Sequence, residues 1–221
     1  MIRYVLFDLD GTLLYTLDTI AYHLNATISD LGLGAVSRDD TRRFIGNGAR
    51  KLVARALAKN GIDDDGVISR VLELYNSSYD NDPLPLTHPY DGVKELVDVL
   101  CEMGITLGVV TNKPEPTAKK LVDSFFPGRF SFVRGGKEGI ALKPDPEESL
   151  SLLHQHGGTA AECAFVGDSD VDVHTGRNIG AALTVGVSWG FRSKEELVSL
   201  GADVVCDSAA EVLEAVLKYS R

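Results

Sequence analysis

Short apolar runs alternate along the chain with longer amphipathic segments, and this alternation predicts the secondary structure. The runs are rich in β-branched and aromatic residues and are nearly all apolar, as strands buried on both faces of a parallel sheet are. They cover residues 4–9, 105–111, 130–134, 163–166, 183–187 and 204–206. The segments between them place apolar residues on one helical stripe, as in Val93, Leu96, Val97 and Leu100. The pattern therefore predicts an α/β fold, with a parallel sheet covered by helices.

One region, residues 15–82, interrupts this alternation. It contains no convincing strand, and its apolar residues follow three successive helical stripes. These are Leu17, Ile20, Ala21, Leu24, Ile28 and Leu31; Leu52, Val53, Ala56 and Leu57; and Val67, Ile68, Val71, Leu72 and Tyr75. We therefore expect an all-helical cap domain, residues 15–82, inserted into a core domain formed by residues 1–14 and 83–221. Clefts between such units are common binding sites.

The composition argues against several classes of protein. Among 221 residues, 32 Asp and Glu outnumber 22 Lys and Arg, and a net charge of −10 disfavours a nucleic-acid-binding surface. No apolar run approaches the roughly 18 to 20 residues of a membrane-spanning helix, and the amino end does not resemble a secretory signal. Cys101, Cys163 and Cys206 are far apart in apolar stretches, as reduced core cysteines are. We expect a cytoplasmic protein that binds neither nucleic acid nor a membrane.

Two carboxylates lie at the end of the first predicted strand. Asp8 and Asp10 are two residues apart, so both side chains enter the same crevice if the strand ends there. Carboxylates that close repel each other unless a cation or a proton lies between them. A simple strand-ending turn of Asp and Gly is the alternative interpretation.

A second acidic cluster follows the predicted strand at residues 163–166. Asp168 lies at the end of that strand, and Asp172 lies one helical turn further, on nearly the same face. Carboxylates that converge from two strand ends suit a hard cation such as Mg²⁺. Asp170 fits better as a helix N-terminal residue stabilised by the helix dipole, and we leave it out of the predicted site.

Two further strand ends supply groups that can bind an anion. Thr111 and Asn112 stand where a helix begins, so that a hydroxyl and free backbone N–H groups lie together. Lys143 lies in a turn just before another helix. A lone lysine in a loop is usually solvated, but the position of Lys143 between the two acidic clusters along the chain favours a functional role.

In this order, the four segments resemble the motifs of the haloacid dehalogenase-like hydrolase superfamily. They are Asp8-x-Asp10-Gly-Thr12, Thr111-Asn112, Lys143-Pro144 and Gly167-Asp168-Ser169-x-x-Asp172. The helical insertion is similar to the small cap of that superfamily, and the resemblance implies a Rossmann-like core. Within the superfamily the chain most resembles the phosphoglycolate phosphatases, through residues 44–49, 110–114 and 187–191.

The resemblance implies Mg²⁺-dependent hydrolysis of a small phosphomonoester through an aspartyl-phosphate. Asp8 is then the nucleophile, and Asp10 protonates the leaving group and later accepts a proton from water. Relatives that attack carbon lack an acid at the position of Asp10, so its presence favours phosphoryl chemistry. Lys143 and Thr111, with Asn112, are expected to bind the phosphoryl group.

The resemblance also implies a set of metal ligands. The carboxylates of Asp8 and Asp168 and the carbonyl oxygen of Asp10 are expected to hold Mg²⁺. Asp172 and Thr12 are expected to hold the ligands and Lys143 in place without contacting the substrate.

The cap supplies a prediction about the substrate. Residues 38–59 carry seven Lys and Arg against two Asp. Gly46, Asn47 and Gly48 precede a helix whose free N–H groups could hold a carboxylate. Together with Arg50 they are predicted to form the substrate loop for a small anionic metabolite, with 2-phosphoglycolate the first choice. Nearby, Tyr15-Thr16 stands at the hinge where many capped relatives carry Asp-Ser.

Several alternatives stay open. A phosphosugar mutase, a pyrophosphatase or a phosphatase of another substrate would share the core chemistry. A phosphonate hydrolase would need a Schiff-base lysine in the cap, for which Lys51 is the candidate. A non-catalytic receiver-like phospho-acceptor domain would share the acidic cluster, but it would lack both the cap and an acid at Asp10. The protein is expected to be a monomer or a homodimer.

Overall fold

Eight strands and ten α-helices form residues 1–219, the part of the 221-residue chain that this computed structural model describes. The strands are β1 (Tyr4–Phe7), β2 (Leu14–Tyr15), β3 (His88–Pro89), β4 (Thr106–Pro114), β5 (Phe132–Gly136), β6 (Cys163–Gly167), β7 (Leu183–Val187) and β8 (Val204–Cys206). The helices are α1 (Leu17–Ser29), α2 (Arg38–Phe44), α3 (Ala49–Lys59), α4 (Asp65–Asn81), α5 (Val93–Glu102), α6 (Glu115–Phe125), α7 (Glu147–Gln155), α8 (Asp170–Ile179), α9 (Lys194–Ser199) and α10 (Ala209–Lys218).

Six of the strands form one parallel sheet, in the spatial order β5-β4-β1-β6-β7-β8. In its centre, Phe7 of β1 pairs with Val109 of β4 on one side and with Val166 of β6 on the other. Because these strands are level, the residues that follow β1 and β6 leave the sheet at the same edge. Parallel strands connected by helices confirm the predicted α/β fold.

Helices cover both faces of the sheet, and the side chains of β1 alternate between two hydrophobic clusters. Val5 and Phe7 pack with residues of α5, α6 and α10. Tyr4 and Leu6 point the other way and pack with residues of α7 and α8. Burial on both faces explains why the strands are almost entirely apolar.

Two strand ends differ from the sequence-based predictions. β1 ends at Phe7 instead of residue 9, because the chain turns there and the N–H groups of Leu13 and Leu14 both donate to the Leu9 carbonyl. β4 continues beyond residue 111, because after a register shift it pairs with β5 again at Pro114. The polar residues between 111 and 114 therefore lie in a strand.

The helices α1 to α4, which we call the cap helices, follow one another between β2 and β3. They share a hydrophobic cluster of their own, whose fully buried members include Leu24, Val53 and Leu57. Three of the four match the predicted stripes, and the fourth, α2, was not predicted. Its sequence has no apolar stripe, and only Thr41 in it is buried.

The short antiparallel pair of β2 and β3 lies at the base of the cap helices, with Tyr15 opposite His88. The two rings stack at 5.0 Å between centroids. Thr16 is buried between β2 and α1. The division into a cap at residues 15–82 and a core stays a prediction, and the last two residues of the predicted core lie outside the described residues. Within residues 1–219, no helix is both long and apolar enough to cross a bilayer.

Candidate active site

A tight loop after β1 carries the first two predicted site residues. Asp8 is buried, and Asp10 is partly exposed on the same side of the loop. The loop passes so close to Asp168 that a Cβ atom on Gly11 would lie 2.4 Å from its Oδ2 atom, and φ at Gly11 is +89°. Only glycine fits there. Thr12 then donates a 3.0 Å hydrogen bond from its hydroxyl to Oδ1 of Asp168. The ends of β1 and β6 are thereby joined directly.

Three buried carboxylates and one ammonium group meet at this edge of the sheet. Asp8, Asp168 and Asp172 each place a carboxylate oxygen within 4.8 Å of the others. Lys143 Nζ lies 2.8 Å from Asp8 Oδ1 and 2.6 Å from Asp172 Oδ1. The topology therefore brings together residues that lie more than a hundred positions apart in the chain.

Asp172 is already surrounded by hydrogen-bond donors. Its Oδ1 atom accepts from Lys143, and its Oδ2 atom accepts from the backbone N–H groups of Asp168 and Ser169 and from the Ser169 hydroxyl. Both oxygens are thus occupied in holding Lys143 and the turn after β6. This placement suits the supporting role predicted for Asp172 better than the role of a metal ligand.

The electrostatics of the cluster show a shortage of positive charge. Burial, together with the negative charge of Asp172, raises the pKa of Asp8 to about 6 in spite of Lys143. Burial and the neighbouring carboxylates Asp172 and Asp8 also raise the pKa of Asp168 well above its usual range. Burial lowers the pKa of Lys143, but Asp172 and Asp8 more than offset this and raise it to about 12.

The charge balance fits a divalent cation. The four predicted acids, with Asp10 included, face two buried ammonium groups, Lys143 and Lys113, so two negative charges stay uncompensated. The Asp8 and Asp168 carboxylates and the Asp10 carbonyl oxygen are all-oxygen donors, which hard divalent cations prefer. Residues present in the chain can therefore hold such a cation.

Asn112 lies behind Lys143 and joins it to the cap helices. Its Nδ2 group donates to the carbonyl oxygens of Lys143 and Gly46, and its Oδ1 atom accepts from the Lys143 N–H. These bonds use both amide hydrogens. Asn112 thus positions Lys143 instead of presenting a free N–H group, although both Asn112 and Thr111 line the cleft.

A cleft between the sheet edge and the cap helices surrounds this cluster, and we call it the active-site cleft. Its cap-side wall is mainly apolar. The residues lining that wall are Ile20, Ile45, Gly46, Gly48, Ala49, Leu52, Tyr75, Asn76, Tyr79 and Asp80.

Only two of the four residues predicted to form the substrate loop line the cleft. Gly46 and Gly48 line the cleft, but Asn47 and Arg50 do not. Asn47 Oδ1 accepts from Arg55 of α3, and the exposed Arg50 guanidinium bonds Ser69 and Asp65 of α4. The expectation that Arg50 and Asn47 face the substrate is corrected accordingly, because each side chain has a partner outside the cleft.

Two further features were not predicted. The first is Lys113, whose buried ammonium contacts both carboxylate oxygens of Asp10 at 3.1 and 3.2 Å and the Tyr79 hydroxyl at 3.0 Å. Burial, followed by the charge of Asp10, raises the pKa of Tyr79 well above its usual range, so its phenol stays protonated. Only the position of Lys113 next to Thr111 and Asn112 could have signalled its role.

The second is the loop after β7, which joins the cluster to the cap helices. The Phe191 N–H donates to Asp168 Oδ2 at 2.7 Å, while its side chain packs in the cap cluster. Arg42 of α2 donates to the carbonyl oxygens of Phe191 and Gly190, at 2.8 and 3.0 Å. One loop therefore contacts both a cluster carboxylate and the cap.

The chain is similar to known proteins along nearly all of its length. The sequence profile of the family described as haloacid dehalogenase-like hydrolase matches residues 5–185. A phosphoglycolate phosphatase of Vibrio parahaemolyticus is 33% identical over 221 residues, which cover 97% of this chain and 96% of that protein. One of Rhodospirillum rubrum is 36% identical over 218 residues, which cover 96% and 90%. A crystal structure from Lactobacillus delbrueckii subsp. bulgaricus, provisionally named a phosphoglycolate phosphatase, has a TM-score of 0.91 at 31% identity and covers 97% of this chain and 98% of that one.

Proposed function

The chain belongs to the haloacid dehalogenase-like hydrolases, and from this premise we propose that it is a Mg²⁺-dependent phosphatase acting on a small phosphomonoester, with 2-phosphoglycolate as its substrate. The observation that carries the proposal is the cluster of Asp8, Asp168 and Asp172 with Lys143 at the end of the central strands. The proteins of Vibrio and Rhodospirillum that are similar to this chain over almost their whole length are named phosphoglycolate phosphatases, and this supports the choice of substrate.

Asp8 is the proposed nucleophile. One of its carboxylate oxygens attacks phosphorus, the bond from phosphorus to the ester oxygen breaks, and an aspartyl-phosphate forms. Lys143, which lies 2.8 Å from Asp8, would bind an oxygen of the transferred group, with the Thr111 hydroxyl on another. Mg²⁺ held by Asp8, Asp168 and the Asp10 carbonyl would supply positive charge for the phosphoryl oxygens.

Asp10 is the proposed acid and base. It would donate a proton to the leaving ester oxygen, and then accept one from the water that hydrolyses the aspartyl-phosphate. Its carboxylate is held by Lys113, so it keeps a defined orientation beside Asp8. Asp172 and Asn112 keep Lys143 in place through bonds to its side chain and backbone.

The proposal is tested by phosphate release from 2-phosphoglycolate, followed by a panel of other phosphorylated metabolites. We expect hydrolysis in Mg²⁺ that EDTA abolishes and that renewed Mg²⁺ restores. Asp8→Asn is expected to lower kcat by at least about 1,000-fold, because the nucleophile is lost. Asp98→Asn is the matched control, since Asp98 forms an exposed ion pair with Arg129 remote from the motifs.

Two results would contradict the proposal. Turnover of Asp8→Asn at the rate of the parent protein would exclude the nucleophile assignment. A phosphosugar or pyrophosphate hydrolysed much faster than 2-phosphoglycolate would exclude the substrate assignment while keeping the chemistry. The cap lysine required by a phosphonate hydrolase gains no support, because Lys51 is exposed and does not line the cleft.

A further inference from the structure

Lys113 is a buried cation of the active-site cleft whose part in the proposed phosphoryl chemistry is limited to holding Asp10. Its side chain is 6% exposed, and it reaches the cleft from β4, where its ammonium contacts the Asp10 carboxylate. Lys143, by contrast, contacts Asp8 and Asp172 and is assigned to the phosphoryl group. The two lysines thus divide the cleft into a phosphoryl end and a second cationic position.

No other cation competes for this second position among the described residues. Of the lining residues of the cleft, only Lys113 and Lys143 carry a positive charge. No arginine of the cap helices lines the cleft; Arg42 is bound to backbone carbonyls and Arg50 to α4. The group of the substrate that is not phosphate therefore meets an apolar wall with one ammonium in it.

The position of Lys113 sets the length of ligand that can reach it. Its Nζ atom lies 3.1 to 3.2 Å from the Asp10 carboxylate, the group proposed to protonate the leaving oxygen. A second hydrogen bond of ordinary length puts the ammonium within about 6 Å of that leaving oxygen. A carboxylate separated from the ester oxygen by one carbon spans about half of this distance, and a hydrogen bond to Nζ spans the rest.

From this geometry we infer that Lys113 is the residue that selects the substrate, by binding a carboxylate one carbon away from the phosphoester oxygen. The inference rests on the proposed phosphatase function. It adds that substrate specificity comes from Lys113 of strand β4 and not from the arginines of the cap helices. One N–H of the ammonium suffices for Asp10 and a second donates to the Tyr79 hydroxyl, which leaves the third for the incoming carboxylate. Lys113 would then lie between two carboxylates, as Lys143 already does between Asp8 and Asp172.

The cap helices complete this subsite. Tyr79 of α4 holds the Lys113 ammonium with its hydroxyl and places its ring 4.3 Å from Nζ. Tyr79 is 3% exposed and packs against Tyr75 in the cap cluster. The direction of the Lys113 side chain is thus fixed from both sides of the cleft, which a carboxylate-binding group requires.

The test compares three esters of nearly equal size that differ in the charge of their tail. They are 2-phosphoglycolate with an anionic tail, ethyl phosphate with a neutral tail and 2-aminoethyl phosphate with a cationic tail. For the parent protein we expect kcat/KM to fall in that order. For Lys113→Met we expect kcat/KM to fall at least about 30-fold more on 2-phosphoglycolate than on ethyl phosphate, with the extra loss mainly in KM, because loss of the orientation of Asp10 affects both esters whereas loss of the carboxylate contact affects only the first. The activity on 2-aminoethyl phosphate should rise, because Asp10 and Asp80 are then the charged groups of that wall.

Two further variants keep the result interpretable. Lys119→Met is the matched control, because Lys119 is an exposed lysine of α6 that pairs with Glu115. If Lys113→Met does not fold, Lys113→Gln replaces it, because the amide of the glutamine side chain can still donate to Asp10 and Tyr79 although the charge is removed. Circular dichroism and thermal midpoints establish that each variant is folded.

The outcomes distinguish failure of the specificity inference from failure of the phosphatase proposal. If Lys113→Met lowers kcat/KM for all three esters by the same factor, Lys113 only positions Asp10 and the specificity inference is overturned. If the parent protein hydrolyses the three esters equally well, the inference is overturned while the phosphatase proposal stands. If it hydrolyses none of them in Mg²⁺, both proposals fail.

Discussion

Replacing the Asp8 carboxylate by an amide is expected to stabilise the cation-free protein while it abolishes turnover. Asp8 is buried beside Asp172, and only Lys143 offsets its charge. In the absence of a divalent cation, the folded protein must therefore keep a carboxylate in an environment that disfavours the charged form. Asp8→Asn preserves the shape of the side chain but removes the charge that pairs with Lys143.

The magnitude follows from the raised pKa. Burial and Asp172 raise the pKa of Asp8 from 3.8 to about 6, a difference of about two units. At about 1.4 kcal/mol per unit, ionised Asp8 costs the folded state about 3 kcal/mol relative to the unfolded chain. That pKa already contains the attraction of Lys143, so for Asp8→Asn we expect a net gain of about 2 to 3 kcal/mol in the free energy of unfolding.

The sign of the pH dependence distinguishes this explanation from simple repacking. Because the folded state holds the Asp8 proton more tightly, this contribution to stability is fully present below about pH 4 and is lost as the pH rises to about 6. The difference in stability between Asp8→Asn and the parent protein should therefore be small near pH 4 and largest above pH 6. The pKa of Asp168 is also raised, in part by the Asp8 charge, so removing that charge lowers the pKa of Asp168 and adds to the stability gain of the variant in the same direction.

Urea denaturation in EDTA, followed by circular dichroism between pH 4 and pH 7.5, measures the effect. Saturating Mg²⁺ should narrow or reverse the difference, because the cation compensates the charge that the variant lacks. Asp98→Asn controls for the loss of a carboxylate elsewhere. The reasoning is refuted if Asp8→Asn is less stable than the parent protein in EDTA at pH 7.5, or if their difference is the same at every pH.

Three further predictions concern the groups that surround the site. Gly190→Ala should lower kcat/KM at least about 100-fold, because its Cβ would lie 2.3 Å from the Cβ of Asp168; phosphate-release kinetics that match the parent protein would contradict this. Arg42→Ala should raise KM about 3- to 10-fold with a smaller change in kcat, since it removes the two bonds between α2 and the loop after β7. An unchanged KM in steady-state assays would count against that role. Leu57→Ala should lower the free energy of unfolding by about 2 to 5 kcal/mol, because Leu57 is fully buried in the cap cluster; a loss below 1 kcal/mol in urea denaturation would be inconsistent with that packing.

The strands of the sheet could be predicted well where burial alone determines the pattern. β7 and β8 were predicted with their observed bounds, because each is a short, mainly apolar run; β7 is fully buried and β8 pairs with it at the edge of the sheet. The end of β4 could not be predicted in this way. Its last residues, Asn112 and Lys113, are polar, and only the pairing of Pro114 with β5 keeps them in the strand.

The candidate site shows the same division. Asp8, Asp168 and Lys143 could be placed together because residues after parallel strands emerge at one edge of a sheet. The direction of a long side chain does not follow from such a rule. Arg50 was expected to face the cleft, yet its guanidinium finds Asp65 on the outer side of the neighbouring helix. Spatial neighbours of this kind are set by tertiary packing, which no local pattern records.

Helix α2 illustrates a third limit. It is held by the Ser37 side chain, which accepts a hydrogen bond from the Asp40 N–H at its N-terminus, and by the contacts of one buried threonine. A helix with so little apolar surface has no hydrophobic period to detect. Its residue Arg42 nevertheless reaches across to the loop after β7 and donates to two carbonyl oxygens there.

The loop that carries Phe191 would couple movement of the cap helices to binding of the proposed cation, so that each would change the free energy of the other. Phe191 is anchored at two ends, with its ring among the cap helices and its N–H on Asp168. Two things can happen if the cap helices move away from the sheet. Either the Phe191 ring leaves their cluster, and exposing its apolar surface costs about 2 to 3 kcal/mol, or the loop follows the helices and Asp168 loses a hydrogen-bond donor.

Both routes connect the closed arrangement to the orientation of a carboxylate in the cation cluster. A ligand that favours closure must then raise the affinity for the cation, and the cation must raise the affinity for that ligand by the same factor. The order in which the two bind would be free, while neither would bind as well alone as in the presence of the other.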